Sequence, residues 1–76
     1  MVRYRFYGNF LNMTAQDLLN ELKNKGYDVS GCLVTNYYVE IYFNTDPANT
    51  VIQDIAQYLN SNKYNKIEDI QEEYMF

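Results

Sequence analysis

Apolar and polar positions alternate most regularly along Tyr37-Tyr38-Val39-Glu40-Ile41-Tyr42-Phe43. A period of two places Tyr37, Val39, Ile41 and Phe43 on one face, with Tyr38, Glu40 and Tyr42 on the other. Aromatic and β-branched side chains suit a pleated, half-buried surface, so the pattern predicts a strand from the middle of a sheet. Its second face carries more tyrosine than ordinary protein surface does. Val2 to Tyr7 repeats the pattern, with Val2, Tyr4 and Phe6 inward and Arg3, Arg5 and Tyr7 outward. Gly8-Asn9 closes that strand.

Two stretches switch to helical spacing. From Met13 onward, Ala15, Leu18, Leu19 and Leu22 form one stripe. Thr14 is the expected N-cap, Asp17 stands at the capping-box position, and Met13 can staple to Leu18. Lys23 and Lys25 suit the negative end of this helix, and Gly26 its left-handed stop. In the second stretch, Val51, Ile52, Ile55, Ala56 and Leu59 recur at three-and-four spacing until Asn60-Ser61-Asn62 interrupts them. Asp46-Pro47 reads as its start, an aspartate N-cap before proline at the first helical position.

The two remaining elements are less sharply patterned. Tyr27 to Val34 is predicted to be a strand, turning through Thr35-Asn36 into the central one. A two-residue turn puts Cys32 and Val34 inward, and then Val29 joins them only if a residue bulges out, with Gly31 the natural place. A three-residue turn puts Val29, Gly31 and Leu33 inward instead, and both registers fit the pattern. Ile67 to Phe76 reads as a last strand through Ile70, Glu72, Tyr74 and Phe76, although Ile67, Ile70 and Tyr74 also fit a helix. Strand completes the order βαββαβ. The expectation is therefore one α+β domain over residues 1–76 with a ferredoxin-like four-stranded antiparallel sheet and two helices on one face.

Composition narrows the function classes. Seventy-six residues make a small domain with a modest core. Six basic against ten acidic residues give a net charge of −4, whereas a duplex-DNA binder normally carries a basic patch. A protein partner is expected, and direct nucleic-acid binding is not. One cysteine and no histidine mean that a metal would need carboxylates alone, so no metal or other cofactor and no enzymatic activity are expected. No apolar run reaches membrane-spanning length, and Met1-Val2-Arg3-Tyr4-Arg5 lacks the apolar stretch of a signal peptide, which points to a cytoplasmic protein. Nine tyrosines and ten asparagines fit an AT-rich coding sequence, and they also fit an adhesive surface, since tyrosine buries much area while losing few rotamers.

In ferredoxin-like order the first and third strands are adjacent at the sheet's centre. Arg3, Arg5 and Tyr7 then stand beside Tyr38, Glu40 and Tyr42 on the uncovered face, with Gln71 and Glu73, or Glu72, next to the arginines from the last strand. Arg–Glu and Tyr–Tyr cross-strand pairing accounts for such a set structurally. The functional alternative is a binding surface, because tyrosine and arginine anchor interfaces. The acids Glu68, Asp69, Glu72 and Glu73 are either a solvated face or an edge that steers a basic partner.

Phe6-Tyr7-Gly8-Asn9-Phe10, Thr14-Ala15-Gln16-Asp17-Leu18 with Leu22, and Asn36 to Phe43 followed by Asp46-Pro47 resemble the RNA-recognition motif. That resemblance implies bases stacked on Phe6 and Tyr38, in a family whose third-strand position at Glu40 is usually aromatic. The run from Asp17 to Tyr27 is similar to the first helix of a small phage-encoded anti-CRISPR inhibitor of the type II nuclease. This second resemblance implies a viral protein, acting in the host cytoplasm, that blocks a nuclease's nucleic-acid site. Three expectations follow: an acidic inhibitor on a partner protein's surface, a single-strand binder using Tyr7, Tyr38 and Tyr42, and a homodimer burying the uncovered sheet faces.

Overall fold

The computed structural model describes residues 1–67. Its elements run β1 (Val2–Tyr7), α1 (Ala15–Asn24), β2 (Val29–Val34), β3 (Tyr38–Phe43), α2 (Asn49–Leu59) and β4 (Lys63–Ile67). The four strands form one antiparallel sheet in the order β2-β3-β1-β4. This is the ferredoxin-like βαββαβ arrangement with β1 and β3 at the centre. No helix among the described residues is long and apolar enough to cross a membrane.

The core follows from side-chain parity. Phe6, Val39, Ile41 and Phe43 point to one side, where they meet Leu18 and Leu22 of α1 and Ile52, Ile55, Ala56 and Leu59 of α2. Phe6, Val39 and Ile41 are completely buried. The β2 register is the bulged one. Val34 pairs with Val39, Cys32 with Ile41 and Val29 with Phe43, the extra residue falling between Val29 and Gly31. All three therefore face the core side, and Cys32 is half-buried there with its thiol donating to the Ala15 carbonyl at 3.3 Å.

Both helices end in the same way. After α1, Gly26 takes φ +88° while the N–H of Tyr27 reaches back to Leu22 O at 3.2 Å. After α2, Asn60 takes φ 56° and the Ser61 N–H reaches Ala56 O at 2.8 Å. These are Schellman closures, which satisfy terminal carbonyls through one left-handed residue. Thr14 caps α1, its hydroxyl accepting from Asp17 N–H at 3.2 Å.

Four expectations are corrected, and one core residue is added. Tyr37 is not in the core but 76% exposed, because the turn is Asn36-Tyr37 and not Thr35-Asn36. Thr35 pairs with Tyr38 through its backbone, and its hydroxyl accepts from the N–H groups of Tyr37 and Tyr38 at 3.2 and 3.0 Å, lifting Tyr37 out of the strand. Asp46 does not cap α2. The helix begins at Asn49 with Ala48 as its cap, and the Asp46 carboxylate instead pairs with Lys66 at 3.0 Å. Ala15 is exposed on α1. The final strand is Lys63–Ile67, beginning four residues earlier than the predicted Ile67; the rest of the predicted strand lies outside the described residues. Lastly, Phe10 joins the core from a loop, its ring so close that a Cβ on Gly8 would sit 2.9 Å from Cζ.

Ile41 sits at the centre of this packing, so Ile41→Ala should lower the unfolding free energy by about 2–5 kcal/mol, measured by urea denaturation. A loss well below about 1 kcal/mol would contradict the central placement of Ile41.

Candidate functional site

Directly opposed residues of an antiparallel pair project to the same side of a sheet. Arg3 opposes Tyr42, Arg5 opposes Glu40 and Tyr7 opposes Tyr38. All six predicted sheet residues therefore share the face away from the helices. β4 adds Lys63 opposite Tyr7, Asn65 opposite Arg5 and Ile67 opposite Arg3. β2 adds Gly31 and Leu33. Asn65 and Ile67 stand opposite the arginines on β4; the expected neighbours Gln71 and Glu73, or Glu72, lie outside the described residues. Glu68, Asp69, Glu72 and Glu73 lie outside the described residues.

Glu40 organises this face. Its side chain is only 4% exposed, and three groups converge on it. The Arg5 Nε donates to Oε2 at 2.9 Å and the same oxygen accepts from Arg5 Nη2. Arg3 Nη1 donates to Oε1 at 3.5 Å, and the Tyr42 hydroxyl donates to Oε1 at 3.3 Å. Withdrawing a carboxylate from water costs several kcal/mol, and charge-assisted hydrogen bonds of this kind offset that cost. The Glu40 hydrogen bonds in turn raise the Arg5 pKa further above its already high ordinary value. Burial, followed by the charge of Glu40, raises that of Tyr42.

Contacts spread outward from this hub. The Arg5 guanidinium lies 4.3 Å from the centre of the Tyr38 ring. Tyr38 meets Tyr7 edge-to-face at 6.2 Å, and Lys63 Nζ lies 5.4 Å from the Tyr7 ring centre. The result is a row, Lys63–Tyr7–Tyr38–Arg5, in which two cations flank two rings. Each ring contact contributes on the order of 0.5–1.5 kcal/mol, so the row is held without being rigidly locked. Lys63 and Asn65 were missed by the sequence reading, because the short β4 has almost no buried residue to reveal its phase.

The RNA-recognition resemblance fares unevenly here. Tyr38 is on the face, as it implies, but Phe6 is wholly buried against Tyr4 and Tyr64 and offers no surface to a base. On the opposite layer, a groove of about 520 Å³ runs between the β1–α1 loop and the end of α2, with Phe10 and Leu18 in its lining and Leu11 and Tyr58 exposed at its margin. Among the described residues, no group of three or more histidine, cysteine or acidic side chains is placed to hold a metal ion.

Charge is distributed unevenly along the chain. Residues 1–67 hold all six bases and six of the ten acids, so the net charge of −4 belongs entirely to Glu68, Asp69, Glu72 and Glu73. On the sheet face, the single acid among the described residues is the buried Glu40, whereas Arg3, Arg5 and Lys63 are at least partly accessible.

Two outcomes test this network. Glu40→Gln removes the anion beneath two guanidinium groups and should cost about 2 kcal/mol. This is below the range for a fully buried pair because water reaches the arginines, and chemical denaturation reads it directly. Tyr42 supplies a pH signature. Its raised pKa means that the native state holds the phenolic proton more tightly than the unfolded chain. The associated stability is full below the ordinary tyrosine value of 10.0 and is lost as pH rises through the higher native one. Tyr42→Phe should flatten that part of the alkaline stability profile; an unchanged profile would exclude Tyr42 as a contributor.

No protein-family model, curated protein sequence or solved structure matches the chain.

Proposed function

We propose that this chain is a small non-enzymatic binding protein that occupies the surface of a partner protein through the face away from its helices. The observation that carries the reading is the row Lys63–Tyr7–Tyr38–Arg5, fixed at one end by the buried Glu40. Tyrosine and arginine are enriched among interface residues that carry most binding energy. Holding them in place beforehand lowers the ordering cost of association. Such a face performs recognition without needing a nucleophile, a base or a metal.

The finer form of the proposal is an inhibitor of a nucleic-acid-handling enzyme, such as a phage-borne block of a host defence nuclease, acting in the cytoplasm. Its support is the concentration of all the net negative charge in Glu68, Asp69, Glu72 and Glu73, the sign that a basic nucleic-acid groove attracts. A second reading, a single-strand binder stacking bases on Tyr7 and Tyr38, draws on the same two rings and their flanking cations. The net charge of −4 opposes it.

The test begins with comparative capture from host lysate using wild type and Tyr38→Ala, followed by binding kinetics with the partner recovered. Tyr38→Ala removes two contacts of the row, so it should lower the unfolding midpoint while leaving the chain folded at the assay temperature, speed dissociation and weaken binding of the folded protein by about 2 kcal/mol, roughly thirtyfold in Kd. Equal affinity for both proteins would remove Tyr38 from the interface and the proposal with it. Sedimentation of the chain alone separates a homodimer from a binder of a different partner.

A further inference from the structure

The charge of the sheet face identifies the chemistry of its partner. Glu40 presents almost no surface, and its oxygens are already taken up by Arg3, Arg5 and Tyr42. Among the described residues, what the face offers outward is therefore cationic and aromatic. Arg5 keeps 26% of its side chain exposed beside Tyr38, and Lys63 is exposed beside Tyr7 with no ion pair among the described residues. Leu33, 43% exposed on the neighbouring β2, extends the apolar part of the same face. A basic partner segment would meet these cations with no accessible carboxylate among the described face residues to compensate. A neutral one would leave Lys63 with no counter-charge among the described residues.

We infer that the face takes an acidic, aromatic-containing protein segment, whose carboxylates meet Lys63 and the outer edge of Arg5 while its ring lies against Tyr7 and Tyr38. This rests on the sheet-face reading above, not on its finer nuclease-inhibitor form, and adds the charge of the segment that the face meets. A nucleic-acid strand is the competing anion. It draws its affinity from many phosphates neutralised together. The described face supplies only Arg3, Arg5 and Lys63, on a chain of net charge −4. Those numbers favour a partner whose negative charges are few and local.

The experiment is a titration of the full-length, ¹⁵N-labelled chain, followed by NMR. The probes are a short peptide of glutamates and tyrosines, its twin with every glutamate replaced by glutamine, and oligothymidine at the same salt. The acidic peptide should shift the amides of Arg5, Tyr7, Tyr38 and Lys63, and bind about fivefold more tightly than its twin. Lys63→Gln should weaken the acidic peptide about threefold and leave the twin unchanged. Equal binding of both peptides on this face would overturn the charge assignment while leaving the sheet-face reading standing. Shifts confined to the groove around Leu11 and Tyr58, or no shifts at all, would count against both. Tighter binding of oligothymidine than of the acidic peptide at physiological salt would make nucleic acid the occupant and overturn the inference.

Discussion

Placing Phe6 opposite Val39 decides two things at once. It sends Phe6, Val39 and Ile41 into the space under the helices, and by parity it sends Arg5 and Glu40 to the other side. A slip of one residue in either central strand would exchange the faces and bury guanidinium groups in an apolar layer. The burial of Phe6, Val39 and Ile41 therefore fixes the uncovered face as firmly as it fixes the core. Sequence changes that respect the core cannot easily move the arginines.

The uncovered face has its own internal order, and Glu40 is its origin. Burying a carboxylate is a poor way to gain stability, since an apolar residue of similar size often does as well. What the carboxylate supplies is orientation. Its bond to Arg5 Nε holds the guanidinium over Tyr38, Tyr38 meets Tyr7, and Tyr7 receives Lys63. Four side chains, two of them the long Arg5 and Lys63, are thereby restricted by one anion. A surface ordered in advance loses less entropy on association, which makes the geometry better suited to recognition than to stability alone.

The sequence was legible wherever burial dictates spacing. The stripes Leu18–Leu22 and Ile52–Leu59, the alternation in β1 and β3, and the six face residues all follow from that one rule. It fails where a polar contact decides the backbone. Tyr37 alternates with Val39, but the Thr35 hydroxyl gathers the two N–H groups that set the turn. Asp46-Pro47 has the form of a helix start, yet Lys66, twenty positions away in sequence, takes the carboxylate. β4 was misplaced because a short edge strand with four exposed residues leaves no periodic trace. Phe10, in the loop between Asn9 and Leu11, enters the core only because Gly8 leaves room for its ring. Lys63 was lost together with the strand that carries it.

The sheet's edges bear on how it can be recognised. An unpaired strand edge invites a partner strand, and natural sheets suppress this with charges or bulges. β4 carries Lys63 and Lys66 within its five residues, and β2 is interrupted by the bulge between Val29 and Gly31. Each edge thus bears one of these devices, and backbone pairing is disfavoured at both. The helices cover the opposite side of the sheet. The surface left between the two edges is the face bearing Tyr7, Tyr38 and the cations, so contact there must be made by side chains. Under the binding role proposed above, that requirement is what the prior ordering of those side chains by Glu40 would serve.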